Sequence, residues 1–304
     1  MTATLDAFYE EFTERNRGFI SERAQSALRE ARVLIAGCGS TGGAAAEPLA
    51  RIGVEDFVLV DVGEFELNNL NRQHATFGDI GRHKAEVAEE RVRAINPHAR
   101  TEVITGGITS VNARDLTETC TLVIDGVDVT EHAGWRAKYH LHEAAARAMR
   151  PVLSGYDMAG TQYIRFYDYR RPGSRPFDGK ITAGMVEESA VWSLLLKALP
   201  LRFVPLEMIR NAREHLGEEE YSVPQLVYAS LLFGALATRM TVEILAGQPV
   251  RRHVVVDAHS EARRTTRRWA TRVQRALILA GGLRALATVM RNRQTHTKKQ
   301  GAHC

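Results

Sequence analysis

The chain has 304 residues, with 40 Lys and Arg against 36 Asp and Glu, and 44% of its residues are hydrophobic. That is ordinary globular composition, and a chain of this length buries a core without staples. Its three cysteines, Cys38, Cys120 and Cys304, form no CxxC pair and are odd in number, which excludes a disulfide framework and a cysteine-rich zinc site.

Residues 5–30 have the composition of a helical arm. Arg32-Val-Leu-Ile-Ala36 is a β-branched run that stops at glycine, as a buried parallel strand does. The small residues from Ala44 to Arg51 predict a helix packed close to a sheet. Phe57-Val-Leu-Val-Asp61 is a second strand, and a charged helix covers about 82–95 before Pro97. Arg100–Ile104 and Thr121–Asp125 are strands three and four. Residues 131–149 form an Ala-rich helix, and Pro151-Val-Leu-Ser154 is a fifth strand. Thr161–Asp168 alternates like an antiparallel strand, and residues 172–180 are a Pro- and Gly-containing loop. Residues 185–221 mix apolar and charged residues at helical spacing. Pro224–Leu245 is a long apolar helix of the core or of a dimer interface, ended by Gly247 and Pro249, and Arg252–Asp257 is a last strand.

Strands and helices alternating in this way predict an α/β fold. The expected architecture is a doubly wound, Rossmann-like, mostly parallel sheet with antiparallel C-terminal strands, an N-terminal helical arm and a helical crossover. The expected segments are the arm (1–30), the nucleotide-binding core (31–175), the crossover with the long helix and last strand (176–259) and a basic extension (260–304). The N-terminus has no signal-peptide pattern and the chain has no run of 18 apolar residues, so a cytoplasmic protein without a membrane span is expected. Residues 251–304 hold 13 Lys and Arg and 2 Asp and Glu, a net of +11 that leaves −7 for the first 250 residues. Such a segment can attract anionic partners. A solvated tail is the plainer reading, and no nucleic-acid partner is clear.

Gly37-Cys-Gly-Ser-Thr-Gly42 is a GxGxxG loop that follows the first strand and opens a helix. Gly37, Gly39 and Gly42 allow a tight turn and a close approach of phosphate, and the helix N-terminus favours the anion. Asp61 ends the second strand 19 residues later, where a carboxylate binds ribose hydroxyls. The loop alone does not separate NAD, FAD and ATP. The stretch that follows does: it carries Asn68, Asn69, Arg72 and Gln73, then Lys84 at the start of a helix. Arg offers a fork of donors and Lys a compact charge, as a triphosphate requires. A nicotinamide oxidoreductase has no use for these residues at this place.

With the glycine loop, Asp61, Asn69-x-x-Arg72-Gln73, Lys84, Ile95-Asn-Pro97 and Asp125-Gly-Val-Asp128, the chain resembles the ThiF/MoeB/HesA adenylyltransferases. These are the bacterial relatives of ubiquitin-activating enzymes. The resemblance covers about residues 12–168 and, more weakly, 223–259. It implies Mg-ATP-dependent adenylation of a carboxylate in a homodimer. It implies that Asp61 holds the ribose, that Asn69, Arg72 and Lys84 contact the phosphates, and that Asp128 binds Mg2+. Asp125 is the other metal candidate, although a strand-capping role fits it better. Arg17 would act in trans on the partner's ATP site, with Arg15 as the fallback.

The chain departs from the family in three places. Residues 129–303 contain no cysteine, so a thioester or persulfide on the crossover has no residue to form on, and no zinc is expected. Gly63 stands where relatives often carry a second acid, and Val129 follows Asp128 where they carry Asn. Passage of the acyl group to a non-sulfur nucleophile, in peptide or natural-product modification, is the expected outcome. Activation of a sulfur carrier with a separate sulfur donor, and a silent partner subunit, are the alternatives. The carboxylate belongs to a peptide or protein C-terminus or to a small acid.

Smaller signals carry plainer expectations. His140 and His142 fall on different helix faces and share no metal. Cys38 fills the loop. Tyr163, Phe166, Tyr167 and Tyr169 serve cross-strand packing or line an acceptor pocket. Trp192 and Leu194–Leu196 serve core packing or form a lid. Residues 276–290 are an apolar stretch too short to span a bilayer.

Overall fold

The computed structural model describes residues 5–214 and 223–278. Five strands are parallel: β1 (Arg32–Ala36), β2 (Asp56–Val60), β3 (Arg100–Ile104), β4 (Leu122–Asp125) and β5 (Val152–Met158). Two more, β6 (Thr161–Tyr167) and β7 (His253–Asp257), add antiparallel. The sheet order is β3-β2-β1-β4-β5-β6-β7. The chain reverses direction across the sheet between β1 and β4, and ligands of such sheets bind in the crevice beyond the strand ends there.

Helices cover both faces. They are α1 (Leu5–Phe12), α2 (Glu22–Glu30), α3 (Gly42–Ile52), α4 (Lys84–Ile95), α5 (Ala113–Thr119), α6 (His132–Arg147), α7 (Ala183–Glu188), α8 (Val191–Ala198), α9 (Leu206–Glu214), α10 (Val227–Leu245) and α11 (Ala258–Ala262). Side chains alternate along each strand, so β1 sends Val33 and Ile35 to one core and Leu34 and Ala36 to the other. The first core lies under α3, α4 and α10, with Leu49, Phe57, Phe233 and Met240. The second is rich in aromatics: Trp135, Tyr156, Tyr163, Tyr167, Tyr169 and Phe177. The aromatic run after β5 therefore packs in the core.

Two details fix how α10 lies on α3. Pro48 is inside α3 and lacks an N–H, so the Ala44 carbonyl four residues earlier loses its helical donor. The Gly234 backbone approaches that same carbonyl; a Cβ at Gly234 would come within 2.2 Å of the Ala44 oxygen. Gly234 thus lets two helices touch where proline has freed an acceptor, the geometry of a Cα–H···O contact. Among the described residues α10 is the one helix long and apolar enough to cross a membrane, but 56% of that apolar window is buried in the protein, against α3, β5 and β6.

The structure corrects the element list in places. The arm is not continuous: α1 and α2 are separated by a 3-10 turn and a bridge between Arg17 and Ile20. Its hydrogen bonds go to the C-terminal end of α3, where Tyr9 Oη donates to Gly53 O (2.8 Å) and Gln25 Nε2 to Ile52 O (3.0 Å). β5 extends past Ser154 to Met158, and α5, between β3 and β4, has no counterpart in the sequence reading. Trp192 is exposed, so it serves no core, although Leu194 beside it is buried. Of the basic extension, residues 265–278 are helical, and most of the apolar stretch at 276–290 lies outside the described residues.

Candidate functional site

Three loops meet at the carboxyl ends of β1, β2 and β4. Gly37 takes a left-handed φ of +86°. A Cβ there would lie 2.4 Å from Gly126 O, and one at Gly42 would lie 2.0 Å from Gly37 O. The turn after β1 and the turn after β4 are therefore in backbone contact, and their glycines are needed for that contact. Gly39 differs. A Cβ on it would meet only the Gln73 side-chain amide, at 3.4 Å. The protein's own packing does not require glycine at this position. The space it leaves is a cradle of the kind a phosphate chain fills.

Asp61 follows β2 and is pinned by both oxygens. Cys38 N donates to Oδ2 (2.6 Å) and Gly63 N to Oδ1 (2.7 Å). Gly63 O accepts from Lys84 N (3.0 Å) at the start of α4. A Cβ at Gly63 would lie 3.3 Å from Asp61 Oδ1 and 3.5 Å from Lys84 Nζ. Gly63 thus ties the carboxylate to the lysine through its backbone, and Asp61 and Lys84 face each other beside the glycine loop. The fold brings together Gly37, Gly39, Gly42, Asp61 and Lys84.

The 3-10 turn Leu67–Asn69 positions the next residues. Asn69 is buried, and its side chain serves the turn: Oδ1 accepts from Glu66 N (3.3 Å), and Nδ2 donates to Asn68 Oδ1 (2.5 Å). Arg72 is half-buried and donates through one terminal nitrogen to Asn68 O (3.0 Å) and Asn71 Oδ1 (2.9 Å), while its Nε is buried without a partner. Burial pushes the guanidinium below its ordinary pKa, against the pull of Asp157 and Asp128. Asp128 is exposed after β4, and its Oδ1 accepts from Thr130 N (2.9 Å). Arg17 is exposed in the arm, which docks at the far end of α3. Eleven helical residues separate that end from the glycine loop, about 16 Å. The chain does not bring Arg17 into its own site.

Asp125 does more than cap its strand. Its Oδ1 accepts from Val127 N (3.2 Å), as a cap would. Its Oδ2 lies 2.6 Å from Lys138 Nζ and 2.9 Å from His142 Nε2, and accepts from Ser154 Oγ (2.5 Å). Lys138, His142, Ser154 and Asp125 are all fully buried. Burial pushes the Asp125 carboxyl up, but Lys138 and His142 outweigh it and hold it well below the usual carboxylate range. Burial pushes His142 down, against the pull of Asp125. The Asp125 carboxylate can only accept, so His142 donates to it from Nε2, and its Nδ1 then accepts from Tyr169 Oη, which itself accepts from Phe177 N. This network anchors the end of β4, from which the Asp128 loop departs. Lys138 and His142 are four apart on α6, a spacing visible in the sequence as polar residues on the buried face of an Ala-rich helix.

Sequence reasoning also missed Asp157, near the end of β5. Its Oδ2 accepts from Ser40 Oγ in the glycine loop (2.5 Å), and Ser40 O accepts from Ser230 Oγ of α10 (2.5 Å). The signal was an acid inside a buried strand. Cys38 and Cys120 are buried free thiols, both pushed up by burial, Cys120 to about 12.

The ThiF family profile matches residues 13–175, more than half of the chain. The chain belongs to the ThiF family. It is similar to the tRNA threonylcarbamoyladenosine dehydratase of Escherichia coli K12, 38% identical over 109 residues, 35% of this chain and 41% of that protein. It is also similar to the molybdopterin-synthase adenylyltransferase of Salmonella typhimurium, 35% identical over 160 residues, 51% of this chain and 60% of that protein. The matches thus span less than two thirds of either relative. Among solved structures, the E. coli dehydratase TcdA in complex with ATP superposes with a TM-score of 0.57 at 22% identity, over 81% of this chain and 98% of that one. That likeness shows the shared Rossmann-like fold.

Proposed function

We propose that this ThiF-family chain binds Mg-ATP and adenylates a carboxylate. The observation that carries the reading is the open cradle at Gly39, in the loop whose Cys38 N–H holds Asp61, with Lys84 beside Asp61 across Gly63 and Arg72 within electrostatic reach of Asp128. A carboxylate oxygen of the acid would attack the α-phosphorus, and the bond to the bridging oxygen would break to release pyrophosphate. The acid is already ionised at neutral pH, so the protein needs no general base. Its work is to position the two anions and to meet the charge that develops between them.

Lys84 stands at the first turn of α4, where helix-end potential adds to its own charge. Arg72 brings an unpartnered Nε, a donor already desolvated. Asp61, held by two backbone N–H groups, keeps lone pairs for the ribose hydroxyls. The role of Asn69 is to shape the turn that presents Arg72. Among the described residues no group of three or more His, Cys, Asp or Glu could hold a metal. One carboxylate, Asp128, with phosphate oxygens and water is a ligand set that Mg2+ accepts, and the ion would neutralise phosphate charge.

With no cysteine in residues 129–303, the acyl-adenylate would pass to a non-sulfur nucleophile. We place the second half of the site in a homodimer: Arg17 and the highly exposed Phe19 (94%) sit on the arm's turn, free to reach a neighbouring copy. Pyrophosphate exchange with a panel of carboxylic acids tests the reading. Lys84→Ala and Asp128→Ala should each cut exchange by roughly 100-fold or more, the usual cost of losing one charge-stabilising group, with the unfolding transition kept. Binding of ATP without exchange on any acid would end the adenylation reading.

A further inference from the structure

Two buried acceptors without partners lie side by side next to the glycine loop. Asp157 and Gln162 are directly opposite in the β5–β6 ladder, so their side chains share one face with Cβ atoms about 5 Å apart. That face is the one under α3 and α10, because Gly155 on it would place a Cβ 2.3 Å from Thr41 and 2.4 Å from Phe233. Burial pushes the Asp157 carboxyl above its ordinary value, against Ser40, Arg72 and Thr41; Oδ2 is taken by Ser40, and Oδ1 is buried without a hydrogen-bond partner. Gln162 is 0% exposed; its Nε2 donates to Tyr163 O (3.1 Å), which sets the amide orientation and leaves Oε1 buried and unpartnered.

Buried acceptors are almost always paired, so two orphans in one cross-strand pair are a statement about a ligand. Their positions opposite one another in the ladder suit a single group that offers donors to both. A backbone amide carries a single N–H and would satisfy one of the two. A protonated primary amine carries three donors and a positive charge that suits the carboxylate. Within electrostatic reach of Asp157 stands Arg72, whose buried Nε lacks an acceptor. An anion binder beside an amine binder matches a molecule bearing both groups.

We infer that Asp157 and Gln162 form a subsite for a protonated primary amine on the acid that is activated, making the substrate an amino acid or a chain ending in an amine-bearing residue. This rests on the adenylation reading and adds the substrate class. A site built on such donors rejects analogues that lack them, because its own buried acceptors are then left unpaired.

The experiment is pyrophosphate exchange with the free amino acids, each beside its des-amino and N-acetyl counterpart, with ATP binding followed by calorimetry. The wild-type chain should use one or more amino acids at least about 100-fold better, in kcat/KM, than their counterparts. Asp157→Asn keeps the Ser40 contact and turns the Oδ1 position into a donor. It should raise KM for the amino acid at least about 30-fold with the Kd for ATP held within twofold. Gln162→Leu should reduce the selectivity to below about tenfold. Equal use of amino and des-amino acids overturns the inference and leaves adenylation standing. So does an Asp157→Asn variant whose loss falls on ATP and not on the acid. ATP binding without exchange on any acid overturns the adenylation reading and the inference with it.

Discussion

Replacing Lys138 by Met tests the network that holds the end of β4. The side chains are close in length, so the change removes a charge and leaves little cavity. Lys138 Nζ sits 2.6 Å from Asp125 Oδ2 with both side chains fully buried. Removing one partner of a buried pair costs about 3–5 kcal/mol, because the other charge is left without compensation. Asp125 keeps hydrogen bonds from Ser154, His142 and Val127, which places the loss near the lower end, about 3 kcal/mol. In a chain of this size that is a Tm lower by roughly 6–12 °C. Urea unfolding followed by circular dichroism, with the slope unchanged, measures it. The double variant Lys138→Met/Asp125→Asn removes the stranded charge and should recover at least half of the loss. The deficit of the single variant should also narrow as pH falls, because protonating Asp125 removes the same charge. A Lys138→Met chain within about 1 kcal/mol of wild type would refute the account: it would mean that the three hydrogen bonds suffice, and that the ammonium is incidental.

Other outcomes follow from the same geometry. Gly39→Ala should leave stability within about 0.5 kcal/mol, since its Cβ meets only the Gln73 amide, and should weaken ATP binding at least about tenfold by calorimetry. Gly42→Ala should behave oppositely and lower the unfolding midpoint, because its Cβ would meet the Gly37 carbonyl at 2.0 Å. The pH dependence has a defined sign. The folded state holds His142 below its ordinary value and the unfolded chain protonates it near pH 6.5, so stability is full above that pH and is lost as pH falls below it. Asp125, also held low, adds a second loss below about pH 4. Urea midpoints at pH 8, 6 and 4 should fall in that order, and His142→Gln should flatten the step between the first two.

Much of the nucleotide half of the fold was legible because its signals are local. β1, β2 and β4 are short apolar runs stopped by glycine or Asp, and the strand–turn–helix unit fixes where Gly37, Gly39, Gly42 and Asp61 fall. Lys84 was legible for the same reason, as the first residue of a helix. α5 was not, since only Ala113, Leu116 and Thr117 of its seven residues are buried, too little for a periodic signal. β5 was read four residues short because Gly155 and Asp157 interrupt its apolar pattern, and their partners are residues of the glycine loop and α10 far away in the chain. The Asp157–Gln162 pair depends on the β5–β6 register, which no spacing in the sequence sets. Asn69 carried the opposite lesson: its place in the motif was visible, while its work inside the turn depends on the backbone of Glu66 and the side chain of Asn68, which only the fold brings to it.

The Ser230 hydroxyl that reaches the Ser40 carbonyl spans 190 residues of chain. The glycine loop is therefore not finished when its own sequence has been made. A ribosome that has released residues 1–175, all that the family profile matches, has made β1 through β6 but not the helix that covers α3. Until α10 emerges, the Ala44 carbonyl has no Gly234 beside it and the part of the sheet face under α10 stands open to water. Contacts so distant in sequence form late. The nascent chain thus stays incomplete at its glycine loop until α10, ending at Leu245, has been made.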